Sequence, residues 1–296
     1  MADDLLYPRF ALGPVRTALA DTPIVVVQGA RQVGKSTLVG MVAGERDSRV
    51  ITLDDPSTLE LADDDPVTVA DFYPTGLLAI DEAQRAPGLI LPLKANVDVH
   101  RAPGRFLLTG SADLLHVKGA GDSLAGRAET VEMMPLSQGE LSRRETPEDF
   151  VTWILSGAQT RETFPVLDPA TVIRGGYPAV VDRTPARSAA WFRSYIARLS
   201  DHDARELHGG GYSDQLSALL TYLASLGQTE LVKAHVSRHL SVAESTVDSY
   251  LRLAKTMRLV CELPPWNRAP HKRVIRRPKV CLNDTGLSAA LAGFTV

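Results

Sequence analysis

The sequence of 296 residues is 44% apolar and 23% charged, and its formal net charge is -3. This composition is that of an ordinary globular chain with room for two domains, which excludes wholesale disorder and a global attraction to nucleic acid or anionic lipid. No apolar run approaches the ~20 residues needed to cross a bilayer. The acidic start, from Met1 to Arg9, also lacks the pattern of a secretory signal, so we expect a cytoplasmic protein without membrane contact.

The first regular pattern covers residues 5–20, where apolar and polar side chains alternate at roughly helical spacing and Pro14 interrupts them. We expect this segment to pack beside the domain that follows it.

Residues 29–37 fit the pattern G-x-x-x-x-G-K-[ST] of a P-loop, which wraps the phosphates of a nucleotide. An apolar, β-branched run at 24–28 predicts a buried strand before it, and residues 36–43 predict a helix that ends at Gly44. Glycines let successive backbone N–H groups turn toward the phosphates, and the helix N-terminus adds partial positive charge. The predicted nucleotide-binding residues are Gly29, Ala30, Arg31, Gln32, Val33, Gly34, Lys35, Ser36 and Thr37.

Two side chains of this loop have specific expected roles. Lys35 is expected to reach the β- and γ-phosphates of ATP and to act in catalysis, and the Ser36 hydroxyl is expected to ligate Mg²⁺. With a nucleotide here, Tyr7 and Arg9 either border its adenine pocket or anchor the N-terminal segment at the surface. The surface role is favoured, because nothing in the local sequence distinguishes the two.

A second strand is predicted at 49–53, and the acidic turn Asp54-Asp55-Pro56 follows it. Ligands bind outside the carboxyl ends of the strands in open α/β sheets. These aspartates therefore either face the magnesium or the attacking water, or they cap the next segment, 57–62.

Residues 77–82 place four apolar residues before two acids, which predicts a buried strand that delivers carboxylates to the phosphate edge. Asp81 is expected to hold Mg²⁺, as a Walker B aspartate does. Glu82 is expected to orient and activate the attacking water, which requires a carboxylate within hydrogen-bond reach of that water.

A fourth strand at 105–111 ends in hydroxyl-bearing residues. Thr109 and Ser111 are both candidates for sensing the γ-phosphate, but Ser111 is better placed to cap a helix at 112–116, so Thr109 is the catalytic candidate. Arg127 precedes a predicted fifth strand, and its guanidinium is the candidate for contact with a γ-phosphate in its own subunit or in a neighbour.

The segments GARQVGKSTL, LLAIDEAQ, FLLTGSA, and LAGR followed by PLSQGEL resemble prokaryotic AAA-type ATP-binding proteins that carry a C-terminal domain of unknown function, a DUF4143-like family. GGYPAVV and PKVCLNDTGL extend the resemblance over nearly the whole chain. It implies ATP binding and slow or regulated hydrolysis. Members often continue into a region similar to restriction endonucleases, but its acids are not found up to Val296, so no nuclease site is expected.

The second half predicts a linker at 147–169, a helix from Thr184-Pro185 toward Glu206, and a glycine hinge at 209–211. A helix from Asp214 to Leu226 follows. The next pattern is that of a winged helix, with helices at 229–240 and 243–257 and wing strands at 259–263 and 278–282. Cys261 and Cys281 lie in those strands and are expected to be reduced, packed thiols.

The segment between the wing strands is basic from Arg268 to Lys279 and contains no acid. Such a cluster either grips the phosphates of duplex DNA or forms a solvated wing or a contact inside the domain. The outward face of the second helix argues against DNA, because Glu244 and Asp248 stand there beside Arg252 and Lys255.

The sequence therefore predicts an α/β fold, a P-loop AAA-type parallel sheet sandwiched by helices, followed by a mainly helical region with a winged helix. The predicted domains are 1–145, 146–228 and 229–296. The expected function is Mg²⁺-dependent ATP hydrolysis coupled to the second region, in a homo-oligomer or with a protein or DNA partner. A DNA-binding regulator that ATP only switches is the alternative. A small-substrate kinase is a third hypothesis, which no acceptor-binding motif supports.

Overall fold

A computed structural model describes residues 6–111, 124–147, 155, 168–200, 213–266, 268 and 277–294. The chain divides into two units, Met1–Thr146 and Pro147–Val296, and each is described by itself. The unit boundary lies one residue after the predicted boundary at 145. The further predicted division after residue 228 falls inside the second unit and stays a prediction.

The first unit is built on a five-stranded sheet with the order β2-β3-β4-β1-β5, in which every pair is parallel. Its strands are β1 (Ile24–Gln28), β2 (Ser48–Thr52), β3 (Leu77–Asp81), β4 (Phe106–Gly110) and β5 (Ala128–Glu132). The apolar runs that form β1, β3 and β4 are buried at every position, as expected for central strands covered on both faces.

Helices flank this sheet and connect its parallel strands. They are α1 (Leu12–Asp21), α2 (Lys35–Ala43), α3 (Pro56–Asp64), α4 (Pro66–Ala70), α5 (Ile90–His100) and α6 (Gln138–Leu141), with short 3₁₀ turns at Ala83–Arg85 and Pro87–Leu89. Helical spacing was predicted over residues 5–20, and among the described residues the helix begins at Leu12. Pro14 lies in the first turn of α1, where its missing N–H has no helical partner to lose, so it does not interrupt the helix.

The second unit consists mainly of helices. They are α7 (Pro169–Arg174), α8 (Pro185–Arg198), α9 (Ser213–Leu226), α10 (Lys233–Leu240), α11 (Glu244–Thr256) and α12 (Thr285–Ala292), with a 3₁₀ turn at Pro178–Val180. A three-stranded antiparallel sheet joins them, with β6 (Thr229–Glu230), β7 (Val260–Leu263) and β8 (Lys279–Leu282) in the order β6-β8-β7.

Several predicted features lie outside the described residues. They are the helix at 112–116, most of the linker, the glycine hinge at 209–211, and residues 269–276 of the basic stretch. The two cysteines are described, and they face each other across β7 and β8 with their sulfur atoms 2.9 Å apart. Among the helices that the structure describes, none is both long and apolar enough to span a membrane.

Asp284 organises the contact between α12 and the segment before α8. Its carboxylate caps α12 by accepting the Leu287 N–H at 2.7 Å, and it also accepts the Gly176 N–H at 2.7 Å. A Cβ at position 175 would lie 2.4 Å from this carboxylate, and one at 286 would lie 2.4 Å from the Arg174 carbonyl oxygen. The first glycine of GGYPAVV, Gly175, and the glycine of PKVCLNDTGL, Gly286, are therefore required by this close approach.

Candidate nucleotide-binding site

The site lies where three central strands of the first unit end together. The register of β1 on β4 pairs Val27 with Thr109 and Gln28 with Gly110. The register of β3 on β4 pairs Ile80 with Leu108, which brings Asp81 to the same edge. Because parallel strands present their carboxyl ends on one edge, the loop after β1 faces the acids after β3.

The loop from Gly29 to Gly34 follows a path that two of its glycines make possible. A Cβ at position 29 would lie 2.3 Å from the Met133 carbonyl oxygen, so the segment after β5 leaves no room for a side chain. Gly34 takes φ of 100° and directly precedes α2. That conformation favours glycine, and it turns the chain into the first turn of the helix, where unpaired N–H groups gather.

Lys35 is buried at the start of α2, with only 4% of its surface exposed. Its Nζ atom donates to the carbonyl oxygens of Gly29 and Ala30, each at 3.1 Å. Burial lowers the pKa of Lys35, and the nearby carboxylates of Glu82 and Asp81 oppose that shift. The ammonium group thus lies inside the loop and close to both acids.

Asp81 receives hydrogen bonds from two hydroxyl groups that come from different elements. Ser36 Oγ donates to Asp81 Oδ2 at 2.7 Å, and Thr109 Oγ1 donates to Asp81 Oδ1. The carboxylate is 8% exposed. A hydroxyl and a carboxylate at hydrogen-bond distance form the hard oxygen donor set that Mg²⁺ prefers, so the residues present fit this ion.

Glu82 follows directly in a left-handed conformation, with φ of 57°. Its backbone N–H donates to Thr109 Oγ1 at 3.0 Å, so one threonine hydroxyl contacts both Asp81 and Glu82. The Glu82 side chain accepts a hydrogen bond from Gln84 Nε2, which also lies 3.1 Å from Ser111 Oγ. Gln84 is the last residue of the segment LLAIDEAQ, but its role beside Glu82 was not predicted from the sequence.

The acids after β2 take other roles. Asp55 caps α3, accepting the Thr58 N–H at 2.9 Å, which is the second of the two predicted alternatives. Asp54 forms an ion pair with Arg85 at 2.6 Å. Neither carboxylate is part of the hydrogen-bonded network around Asp81.

Arg127 does not join the site. It immediately precedes β5, whose first residue pairs with Ile24 at the start of β1, so it stands at the edge of the sheet opposite to the loop. The five residues of β1 separate the two edges by roughly 13 Å. Arg127 instead forms an ion pair with Asp98 at 2.5 Å. The predicted contact with a γ-phosphate of its own subunit is therefore not supported.

Arg9 differs from the favoured prediction of a surface anchor, whereas half-buried Tyr7 is compatible with it. Arg9 is 7% exposed, and its guanidinium donates to the Val33 carbonyl oxygen of the loop at 2.6 Å. The Tyr7 ring packs against the guanidinium of Arg143, at 5.1 Å from the ring centroid. The surface prediction for Arg9 is wrong, because its partners lie in the loop and in the PLSQGEL segment, far away in the sequence.

A parallel sheet with flanking helices and a glycine-lysine-serine loop at its carboxyl edge defines the protein as a P-loop protein of AAA type. Comparison with known families agrees with this class. Residues 21–142 match a family described as an AAA domain, and residues 169–296 match a domain of unknown function, DUF8612, where the resemblance had named a DUF4143-like one. The chain is thus an AAA-domain protein with a C-terminal domain of unknown function.

Two mycobacterial relatives cover nearly the whole chain. They are the uncharacterized proteins Rv2008c of Mycobacterium tuberculosis (strain ATCC 25618 / H37Rv) and Mb2031c of Mycobacterium bovis (strain ATCC BAA-935 / AF2122/97). Each is 31% identical over 291 residues, which are 98% of this chain and 60% of the relative. The chain therefore spans about 60% of the length of these relatives.

Among solved structures, the Walker-type ATPase PABY2304 of Pyrococcus abyssi is similar with a TM-score of 0.57. The match covers 98% of this chain and 99% of that one at 16% identity. This similarity shows the fold alone.

Proposed function

We propose that this protein binds ATP with Mg²⁺ and hydrolyses it to ADP and phosphate. One observation carries the proposal: the hydroxyls of Ser36 and Thr109 converge on the Asp81 carboxylate, with Lys35 and Glu82 alongside. This combines a cation, a hard-metal donor set and a second carboxylate at the end of a glycine-rich loop. Those are the groups that phosphoryl transfer to water requires.

Each residue has a role that follows from its contacts. Lys35, now on the carbonyls of Gly29 and Ala30, would exchange them for phosphate oxygens. Ser36 and Asp81 would hold Mg²⁺, which supplies positive charge to the phosphate oxygens when bound. Glu82 would accept the proton of the attacking water, and Gln84 orients its carboxylate. Thr109 would link the two acids, because its hydroxyl contacts both residues.

We further propose that the second unit contains a winged helix that responds to the nucleotide state. The support is the order of its elements, in which α9, β6, α10, α11, β7 and β8 follow one another and the three strands form one antiparallel sheet. Val247, Leu251 and Ala254 recur along α11 at helical spacing, and all three are buried.

Duplex DNA is the alternative client of this unit, with ATP as a switch ligand. Two cations near α11 are already paired with acids, Lys233 with Asp248 at 2.6 Å and Lys255 with Glu262 at 2.5 Å. Such pairing weakens the attraction of that helix for a polyanion. We therefore rank a protein partner or a second copy of this chain above DNA, and we propose the cytoplasm as the location.

The test measures the melting temperature and the ATP turnover of the wild type, with Mg²⁺ or with a chelator. A ligand at 100 times its dissociation constant adds about 2.7 kcal/mol to the folded state, so binding is detectable even where turnover is slow. We expect stabilisation by Mg²⁺-ATP and measurable phosphate release. The proposal fails if neither is found for the wild-type protein.

Duplex DNA is added in a parallel series at several salt concentrations. Stimulation of turnover that falls steeply with salt would favour the DNA-regulated alternative. Turnover that DNA leaves unchanged would favour a protein partner instead.

A further inference from the structure

Arg9 donates a hydrogen bond from each of its three guanidinium nitrogen atoms, and the three acceptors lie in separate parts of the first unit. Its Nη1 atom donates to the Val33 carbonyl oxygen at 2.6 Å and its Nη2 atom to the Met134 carbonyl oxygen at 2.6 Å. Its Nε atom donates to Glu140 Oε1 at 3.1 Å. The guanidinium thus joins the N-terminal segment, the phosphate loop and the segment after β5.

Glu140, the acid of this pair, is also fixed in place. Its carboxylate accepts the backbone N–H groups of Phe10 and Ser137, each at 2.7 Å, and the second bond belongs to a capping box at the start of α6. The Phe10 ring occupies the space above Gly139, where a Cβ would lie 2.8 Å from it. Glu140 is 4% exposed. The PLSQGEL segment is therefore shaped to receive Arg9 and Phe10.

We propose that Arg9 and Glu140 are positioning residues that set the phosphate-binding conformation of the loop; this rests on the proposed nucleotide binding. The peptide bond between Val33 and Gly34 is planar and trans, so its C=O and N–H point in opposite directions. Because Arg9 holds the Val33 carbonyl oxygen, the Gly34 N–H of the same peptide bond points away from Arg9. That N–H belongs to the group of unpaired donors at the start of α2, where an anion binds.

The energetics favour a positioning role over a contribution to stability alone. Burial lowers the pKa of Arg9, while the charge and hydrogen bond of Glu140 oppose that shift. A buried ion pair is seldom more stabilising than apolar residues of the same volume, because both ions lose their hydration. What apolar residues cannot supply is the planar fork that holds two carbonyl oxygens at fixed angles.

The experiment compares Arg9→Gln, Arg9→Lys and Glu140→Gln with the wild type and with Arg16→Gln. Arg16 is the matched control, because it also pairs with a glutamate, Glu45, but its side chain is 50% exposed. Dissociation constants for Mg²⁺-ATP and Mg²⁺-ADP, and KM and kcat for ATP, are measured at a temperature at which circular dichroism shows every variant to be folded.

We expect Arg9→Gln to raise both dissociation constants and KM by about tenfold or more, with a smaller change in kcat. Compared with Arg9→Gln, Arg9→Lys is expected to restore the melting temperature more than the ATP affinity. A lysine keeps the positive charge, but its ammonium cannot hold both carbonyl oxygens at the angles that the guanidinium sets. Glu140→Gln leaves Arg9 in place with a weaker partner, and it provides the test if the Arg9 variants do not fold. Its expected effect is a smaller rise in the same constants.

Affinity within about twofold of the wild type for Arg9→Gln and Glu140→Gln would overturn the positioning role, as would an equal loss in Arg16→Gln. A wild-type protein that binds no ATP would instead refute the proposed function, and this inference with it. The two failures are therefore distinguished by the wild-type measurement alone.

Discussion

Each unit buries an aspartate, and the groups around the two carboxylates differ in kind. Asp81 of the first unit is 8% exposed and accepts hydrogen bonds from the hydroxyls of Ser36 and Thr109. Asp284 of the second is 5% exposed and accepts the backbone N–H groups of Gly176 and Leu287. Hydroxyls can rotate and exchange partners, whereas backbone amides of folded segments cannot.

This difference supports Asp81 as part of the proposed binding site and Asp284 as a structural contact. Burial of a carboxylate occurs in both units, so burial alone does not mark function. Around Asp81 the donors are side chains that a metal ion can replace, and Lys35 and Glu82 lie next to it. Around Asp284 the donors are fixed by the turn at Gly175 and by α12, and burial raises the pKa of its carboxyl group. Asp284 therefore holds two segments together.

The largest effect is expected from Glu82→Gln. The amide cannot accept the proton of the attacking water, so turnover should fall by about 10²- to 10⁴-fold while ATP affinity is retained. Phosphate release and the melting temperature with Mg²⁺-ATP measure the two quantities. Glu60→Gln, at an exposed acid of α3, is the control. Unchanged turnover in Glu82→Gln would remove Glu82 from the mechanism.

Lys35→Met should weaken ATP affinity by about 10- to 100-fold, because a hydrogen-bonded cation is lost from the phosphate loop. Without nucleotide, its melting temperature should equal or exceed that of the wild type. Since burial lowers the pKa of Lys35, the unfolded chain binds that proton more tightly than the folded one, and the charge is destabilising below the ordinary pKa. Lys94→Met on α5 is the control, and a lower melting temperature for Lys35→Met alone would contradict this account.

The sequence could predict features that depend on neighbouring residues, but not contacts between residues that are far apart in the chain. The P-loop motif has a fixed spacing and the strands are continuous apolar runs, so the loop and the strands that contain Asp81 and Thr109 could be predicted from local residues. The partner of Arg9 could not be found that way, because Glu140 lies 131 positions away and pairing over such a distance depends on the tertiary fold. The position of Arg127 relative to the loop could not be predicted for a related reason. Its neighbours in sequence predicted a strand, but only the strand order and direction place it at the far edge.

The same substitution, Asp→Asn, is expected to act differently in the two units. At Asp284 one carboxylate oxygen becomes an NH₂ group that faces a fixed N–H donor. Burial raises the pKa of Asp284, so the neutral amide removes an unfavourable charge, but we expect the unpaired donors to outweigh this gain and to cost about 1–3 kcal/mol. That corresponds to a fall in melting temperature of roughly 3–10 °C. At Asp81 the hydroxyls can turn to accept from the amide, so the melting temperature should change little, but stabilisation by Mg²⁺-ATP should be lost.

Thermal unfolding of both variants with and without Mg²⁺-ATP measures this contrast, and each variant is the control for the other. Equal losses of stability in the two would mean that Asp81 is also a structural carboxylate. Retained stabilisation of Asp81→Asn by Mg²⁺-ATP would place the metal elsewhere.

The smallest effect on an isolated subunit is expected from Arg127→Ala. Its ion pair with Asp98 leaves both side chains about a third or more exposed, so its loss should leave the melting temperature nearly unchanged and should change ATP affinity by less than about twofold. Because Arg127 stands at the far edge of its own sheet, we propose that it acts on the nucleotide of a neighbouring copy. Turnover of Arg127→Ala should then fall, whereas Asp98→Asn, which breaks the same pair but keeps the arginine, should stay active.

Mixing Arg127→Ala with Glu82→Ala should restore part of the activity, because one subunit supplies the arginine and the other the carboxylate. Mixed oligomers that stay inactive, or a loss of ATP affinity in Arg127→Ala itself, would leave Arg127 as no more than the partner of Asp98.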